Sequence, residues 1–391
     1  MIQVGVFLQL LFVMKFALDF LSPFRDVNFI LVNVVCVLFI FFRRDLLTLL
    51  SRKEVQILFC YILCCTIWLV NNWSVLFYFK FLSFSLLYVV VRCSAAVLDS
   101  NYLLLITTRL LRVFIGLMLV NFVVSFVLFN PALREFYNFE HANLLGSYIL
   151  LSLPFIYLLM LNGEMHVLNK FSIVFMAFLS TSTGALLSSL MVLIDFRRLS
   201  LSLVLRFFVM AFSLACVAFV TLQLFLPESF TKIFGPLLLI YDGGLGDLKF
   251  LADNRIPMRE LGEEYQGSFV WRMYAYFVFI DFLSSQSVYS VFFGSGFLGF
   301  LEVWDGIAPH NDFLLLLLDF GLLGFLPFVY FFLTILLRVV RYQPLFIPLI
   351  LVLLIRLLFE NNLYSYYVMS GVVMNGVFLW VYSLQSKKVS E

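Results

Sequence analysis

The sequence predicts an all-α polytopic membrane protein of about 12 transmembrane helices with one large outer loop, each span needing roughly 20 apolar residues. Three observations carry this. The chain of 391 residues is 63% hydrophobic and only 12% charged, more apolar surface than a soluble domain can cover. The apolar residues gather in runs of spanning length, separated by short polar stretches. Lys and Arg concentrate in some of those stretches and not in others, which fixes an orientation across the bilayer.

Taken in order, the candidate spans are 3–21, 27–42, 54–70, 74–91, 113–129, 143–161, 207–226, 311–337, 343–359 and 364–384. No small-residue cleavage site follows the apolar N-terminus, so it is expected to form the first membrane helix and not a removed signal. Basic loops are expected at Arg43, Arg44, Arg52 and Lys53, at Arg92, Arg109 and Arg112, at Arg338 and Arg341, and in the tail at Lys387 and Lys388. Placing all of them in the cytoplasm puts both termini there as well. Residues 171–195 resist a single crossing, because Lys170 and the pair Arg197–Arg198 flank the run at both ends. Its middle, Ser180-Thr181-Ser182-Thr183-Gly184, has turn chemistry, which splits it into helices of about 165–181 and 185–200.

That topology leaves three outer loops: 130–142, the Ser/Thr tip, and the much longer 227–310. Long loops in compact proteins tend to carry function. This one holds Asp242, Asp247, Asp253, Glu260, Glu263 and Glu264 with Arg255, Arg259 and Arg272 among them. Within it, 268–283 is aromatic on nearly all sides and reads as an interfacial or re-entrant helix, and 291–301 as a glycine-punctuated apolar turn. No internal repeat or low-complexity linker is visible, so residues 1–391 read as one integral membrane domain.

Composition also limits the chemistry. A net charge of +2 is too small to argue for nucleic acid. The cysteines, at 36, 60, 64, 65, 93 and 216, lie in or beside apolar runs and are expected to be small buried hydrophobes. Neither a Cys/His cluster nor a CxxC pair suggests a metal. Phosphate-loop, HExxH, GxSxG and DxD-like patterns are missing too, which argues against an ATP-driven pump, a protease and a nucleotide-sugar glycosyltransferase.

The candidate chemistry centres on His310, where a polar, aromatic segment runs into the leucines of 314–318. A helix-capping or structural role is one reading of a lone histidine. The other is proton transfer at the membrane–water boundary, which suits an imidazole. Pro309 and Asn311 set a defined turn into the following helix. Arg272, within an aromatic stretch, is either a snorkelling or ion-paired side chain or an anion clamp, since guanidinium binds phosphate in bidentate fashion. Arg255 and Arg259, four apart, could share a helix face or be solvated charges. His141 falls in the first outer loop and His166 on the cytoplasmic side.

His310-Asn311, followed by Gly321-Leu322-Leu323-Gly324, resembles the His-containing signature of the bacterial O-antigen polymerase and ligase superfamily. The segment from Arg272 through Gly294-Ser295-Gly296 is similar to that family's loop arginine followed by a GxG turn. Residues 137–154 are similar to its pattern around an outer-loop Asn. The resemblance covers roughly 137–330. One departure is Gly184, where many members carry an arginine at the tip of the central hairpin; Arg134, Arg255 or Arg259 could supply that contact, or Arg272 alone could hold the diphosphate.

The resemblance implies about a dozen helices with a large periplasmic loop, in the inner membrane. It implies glycan transfer from an undecaprenyl-diphosphate-linked oligosaccharide, with no metal or nucleotide cofactor. His310 would be base or acceptor-orienting group, Arg272 the diphosphate clamp and Asn311 its neighbour in the turn. A repeat-unit polymerase would work with a chain-length regulator membrane protein as partner. Two other readings stay open: the ligase that transfers the finished glycan to lipid A-core, and a lipid-linked oligosaccharide flippase, to which Arg206 and Arg356 beside apolar runs would point.

Overall fold

The computed structural model describes residues 2–20, 28–72, 75–128, 142–164, 167–180, 182–190, 244–256, 268–296, 311–343, 346–359 and 365–390, with a few isolated positions between them. These residues form α1 (Ile2–Asp19), α2 (Asn28–Phe42), α3 (Arg52–Asn72), α4 (Val75–Ala96), α5 (Ser100–Leu128), α6 (Ala142–Leu150), α7 (Leu153–Leu161), α8 (Val167–Leu179) and α9 (Thr183–Leu190). Then follow α10 (Leu245–Asp253), α11 (Ser268–Ser285), α12 (Val288–Phe293), α13 (Asp312–Tyr342), α14 (Ile347–Phe359) and α15 (Tyr366–Ser390). A 3-10 turn covers Arg44–Leu49, and there is no strand among the described residues. They divide into two compact units, residues 1–194 with 322–391, and residues 195–321.

Six helical stretches are long and apolar enough to cross a membrane: α1, α4, α5, the α6–α7 pair, α13 and α15. The described residues are thus all helical in their regular structure, and the protein is a multi-pass membrane protein. Helices α2, α8 and α14 are apolar but shorter. Helix α5 shows why water is the wrong solvent. Its inner stripe buries Leu110, Phe114, Met118 and Phe122, yet its outer stripe is also apolar, with Leu119 47%, Val123 63% and Val127 74% exposed. A soluble helix would be polar on that side.

In the first unit α15 is the axis, buried on every side from Tyr366 to Ser383. It lies against α4, where Tyr366 stacks on Phe84 with ring centroids 5.8 Å apart and its hydroxyl meets Ser83 Oγ at 2.6 Å. Between α6 and α7 the helix breaks at Leu151–Ser152, where Asn375 Nδ2 donates to the Leu151 carbonyl at 2.8 Å. A freed backbone group inside a bundle needs such a partner.

Local chemistry sets several ends. Ser51 and Glu54 form a reciprocal capping box at the start of α3, Ser51 N donating to Glu54 Oε2 at 2.9 Å and Glu54 N to Ser51 Oγ at 3.3 Å. Asp99 starts α5, its Oδ1 accepting from Tyr102 N at 2.7 Å. That cap corrects the expected span of 113–129: the helix begins at Ser100, so Arg109 and Arg112 lie on it and not in a loop. Arg92, Arg338 and Arg341 likewise lie on helices, near the ends of α4 and α13. Long basic side chains can hold the helix in the membrane boundary by extending along it. Cys36, Cys65 and Cys93 are buried as expected, whereas Cys60 is exposed on the apolar outside of α3.

The run 171–195 breaks where its turn chemistry predicts, α8 ending at Leu179 and α9 starting at Thr183. Ser182 Oγ donates to Asn143 Oδ1 of α6 at 3.1 Å. Gly146 permits the close approach, since a Cβ there would stand 2.6 Å from that of Ala185. Residues 191–200 of the second arm and nearly all of the expected span 207–226 lie outside the described residues.

Lys15 and Asp19 are both 0% exposed and pair with each other one turn apart inside the bundle. Asp19 also accepts from Asn28 Nδ2 at 2.6 Å and from the Tyr148 hydroxyl at 2.9 Å, and Lys15 donates to the Tyr367 carbonyl. Four helices, α1, α2, α6 and α15, therefore meet at one buried ion pair. Removing one partner strands the other charge, so Lys15→Met or Asp19→Leu alone should cost on the order of 3–5 kcal/mol. The double variant should recover most of that, and thermal unfolding in detergent of the two single variants and the pair checks the pattern.

Candidate functional site

Helix α11, which carries Arg272, has two buried stripes. Val270, Tyr274 and Val278 pack on Leu248 and Ala252 of α10 to make the core of the second unit. Ala275 and Phe279, both 0% exposed, form the other stripe. At roughly 100° per residue Arg272 falls within about 20° of Phe279 and some 160° from Tyr274. It is half-buried, on the side of α11 away from α10.

Arg255 takes the other side. Its Nη2 lies 3.8 Å from Asp281 Oδ2, and Asp281 stands one heptad beyond Tyr274 on the α10-facing side. The neighbouring Ile256 carbonyl accepts from the Tyr274 hydroxyl at 2.7 Å. Burial pushes the Tyr274 phenol up, against the pull of the Arg255 charge, so it stays a neutral donor. Arg255 and Arg272 are therefore not two halves of one clamp. Arg259, Arg134 and His310 itself lie outside the described residues, as do His141 and His166.

Arg255 also carries strain. It sits at φ 56°, the non-glycine residue in the left-handed region among those described. Its N–H donates to the Ala252 carbonyl at 3.1 Å and that of Ile256 to Leu251 at 2.9 Å, the paired bonds that close a helix with a left-handed residue. Helix α7 ends the same way with Gly163 at φ 72°. Glycine suits that position, and a side chain there costs about 1–2 kcal/mol.

The glycines of the sequence signature meet in space. Helix α13 is broken at Gly321, at φ 60° and ψ −173°, and the turn Gly294-Ser295-Gly296 covers the break. Ser295 N donates to the Leu318 carbonyl at 2.8 Å and Gly296 N to that of Asp319 at 3.2 Å. These bonds satisfy carbonyls that the helix end leaves open. Neither glycine can take a side chain. A Cβ on Gly294 would stand 2.2 Å from the Asp319 carbonyl oxygen, and one on Gly321 would stand 2.4 Å from Gly294 N and from the Phe292 oxygen.

At the other end of this half-helix Asn311 is the N-cap. Its Oδ1 accepts from the backbone N–H groups of Phe313 and Leu314, both at 3.0 Å. Asn311 thus holds the helix start through its side chain, while Pro309 and His310 of the expected turn lie outside the described residues. A half-helix locked at both ends starts directly after His310.

A different kind of site lies in the first unit, one the sequence reading did not place. A cavity with about 770 Å³ of empty space, counting its open side, is lined mainly by leucines and valines of α7, α13, α14 and α15. Arg356, 6% exposed, stands in its wall. Arg356 donates through Nη2 to Ser147 Oγ at 2.7 Å and to the Asn143 carbonyl at 2.8 Å, with Asn362 Nδ2 on its own carbonyl at 3.3 Å. Asn143 is the residue that the hairpin tip reaches through Ser182. The signal in the sequence was a lone arginine inside the apolar run 347–359, near a Ser four residues beyond an Asn on another helix.

Two substitutions separate strain from packing. Gly163→Ala meets no atom within 4 Å, so it should cost only the left-handed preference, about 1 kcal/mol. Gly321→Ala must move backbone and should cost more than about 2 kcal/mol, read as a larger fall in melting temperature. Arg255→Gly should melt no lower than the wild type, because an exposed ion pair contributes little while glycine relieves the backbone.

Searches against protein-family profiles and against curated proteins find no match for the chain.

Proposed function

We propose that the protein is an O-antigen or capsular repeat-unit polymerase of the bacterial inner membrane, with about 12 spans and both termini in the cytoplasm. The observation that carries this reading is the glycine lock. The two stretches on which the family resemblance rests, Gly294-Ser295-Gly296 and the segment from Asn311 to Gly321, are hydrogen bonded to each other. Gly294 and Gly321 are dictated by that packing, and the lock pins the far end of the half-helix that Asn311 caps. This supports the resemblance, since unrelated apolar glycines would not be expected to interlock.

In the proposed reaction the hydroxyl oxygen of the lipid-linked acceptor sugar attacks the anomeric carbon of the donor glycan. The bond from that carbon to the polyprenyl diphosphate breaks, and the diphosphate leaves with the electron pair. His310 takes the hydroxyl proton or orients the hydroxyl. Arg272 stabilises charge developing on the diphosphate, where a guanidinium in a low-dielectric setting is most effective. Asn311 positions the turn through the backbone. The leaving group is already activated, so the chemistry asks of the protein only positioning and charge stabilisation.

The cavity at Arg356 favours a second reading, a transporter of lipid-linked oligosaccharide, because a buried guanidinium in an apolar pocket suits an amphiphilic anion. A ligase acting on lipid A-core is the third.

His310→Ala and Arg272→Ala should each leave a folded protein and lower polymerisation by roughly 10²-fold or more. Cells carrying them should attach a single repeat unit, whereas loss of a ligase leaves no attached glycan. Purified protein should extend lipid-linked repeats in detergent without any membrane gradient. Full-length chains from the His310→Ala variant, or purified protein that moves the lipid without joining repeats, would remove the polymerase reading.

A further inference from the structure

At the end of the first unit where α3 starts and α4, α13 and α15 finish, two arginines share one carboxylate. Glu54 Oε1 accepts from Arg92 Nε at 3.0 Å and from the Tyr88 hydroxyl at 2.9 Å, and lies 3.5 Å from Arg338 Nη1. Its other oxygen is committed to the Ser51 backbone. Both guanidinium groups lie over the Trp380 ring, at 4.8 and 4.4 Å from its centroid. Arg338 Nη1 also donates to the Tyr88 hydroxyl at 3.0 Å. One carboxylate cannot neutralise two guanidinium groups, so the cluster keeps one net positive charge.

The cluster is also built and reachable. Glu54 is 3% exposed, but the arginine side chains are 13% and 20% exposed. Arg92 uses Nε in this contact, and its two terminal nitrogens have no hydrogen-bond partner among the described residues. Its plane is held by Trp380 and Glu54 before any ligand arrives, so little entropy remains to be lost on binding. Exposed apolar side chains flank the arginines on two of the same helices, Val55 (51%) and Phe59 (65%) on α3 and Leu333 (38%) and Leu337 (64%) on α13. Arg52, Lys53 and Arg341 around them are exposed and add to the positive field. A phosphate with an acyl chain beside it matches this surface: charge for the headgroup, apolar helix sides for the tails.

We infer that Arg92 and Arg338 form a seat for the phosphate of an anionic phospholipid in the leaflet at this end of the helices. The inference is independent of the glycan chemistry proposed above. A sealed interhelix latch would need no net charge and no free guanidinium edge; this cluster has both.

The test uses the full chain in detergent, titrated separately with phosphatidylglycerol, phosphatidylcholine and inorganic phosphate. Bound lipid is read by native mass spectrometry and stabilisation by thermal unfolding. The wild type should retain phosphatidylglycerol with roughly tenfold preference over phosphatidylcholine, and inorganic phosphate alone should stabilise little. Replacing only the arginines would strand Glu54, so the variant is Arg92→Gln/Arg338→Gln/Glu54→Gln, which keeps neutral hydrogen bonding. It should fold with unchanged size-exclusion behaviour and lose the preference, while Arg341→Gln keeps most of it. Equal retention of the two lipids by the wild type, or an undiminished preference in the folded triple variant, would overturn the proposal. Stabilisation by inorganic phosphate equal to that by phosphatidylglycerol would assign the seat to a soluble anion and overturn it as well.

Discussion

A charge inside a membrane bundle must find its partners within the protein, and the Lys15–Asp19 pair sets that constraint for this chain. Both side chains are fully buried, and Asn28, Tyr148 and the Tyr367 carbonyl supply further hydrogen bonds to them. No single helix can satisfy the pair. Its full set of partners assembles only when α1, α2, α6 and α15 are in register, which ties the first helix to α15. Association of apolar helices in lipid has little hydrophobic force behind it. Directional bonds such as these supply the specificity that leucine-to-leucine contact lacks.

Aromatic packing does the rest. The chain has 50 phenylalanines, and in the first unit several interlock: Phe12 meets Phe16, Phe155 and Phe378 edge to face, and Phe114 meets Phe16 edge to face and stacks on Tyr148. Such contacts add an orientation-dependent contribution to the area they bury. Glycines make room where helices approach closely. Gly371 admits the Leu151 side chain and Gly376 that of Ile335. The two levels fit together: polar bonds fix register at the bundle ends, and rings and glycines fill what lies between.

The sequence made the long helices legible because length and hydropathy are local properties. It made the break at Ser180–Ser182 legible because Ser, Thr and Gly weaken a helix wherever they cluster. Helix starts were harder to place. Asp99 caps α5 well upstream of where the apolar run becomes pure, and a single acidic residue looks like loop until its N–H partner is known. The charged networks were less legible still. Lys15 and Asp19 stand four apart within an apolar run, a pairing that helix geometry alone suggests, but the contribution of Tyr148 and Asn28 depends on which helices adjoin. Arg356 stood out as an oddity in the sequence, and only packing against Ser147 and Asn143 gave it a setting.

The candidate site divides along the same line. The turn at Asn311 could be anticipated because an Asn before an apolar run is a helix-start signal. That Gly294 and Gly321 face each other could not, since no single helical or strand period aligns residues 27 apart in the sequence. Their contact changes what the glycines mean. In sequence they read as motif letters near a histidine. In space each exists because the other's backbone occupies the volume a side chain would need. A half-helix pinned by Asn311 at one end and by the glycine turn at the other cannot slide or rotate without breaking those bonds. Rigid support of that kind is what a group working on a transient charge requires. Arg255, by contrast, absorbs backbone strain while its side chain stays partly in solvent, whereas Arg272 is half-buried beside a buried stripe of α11.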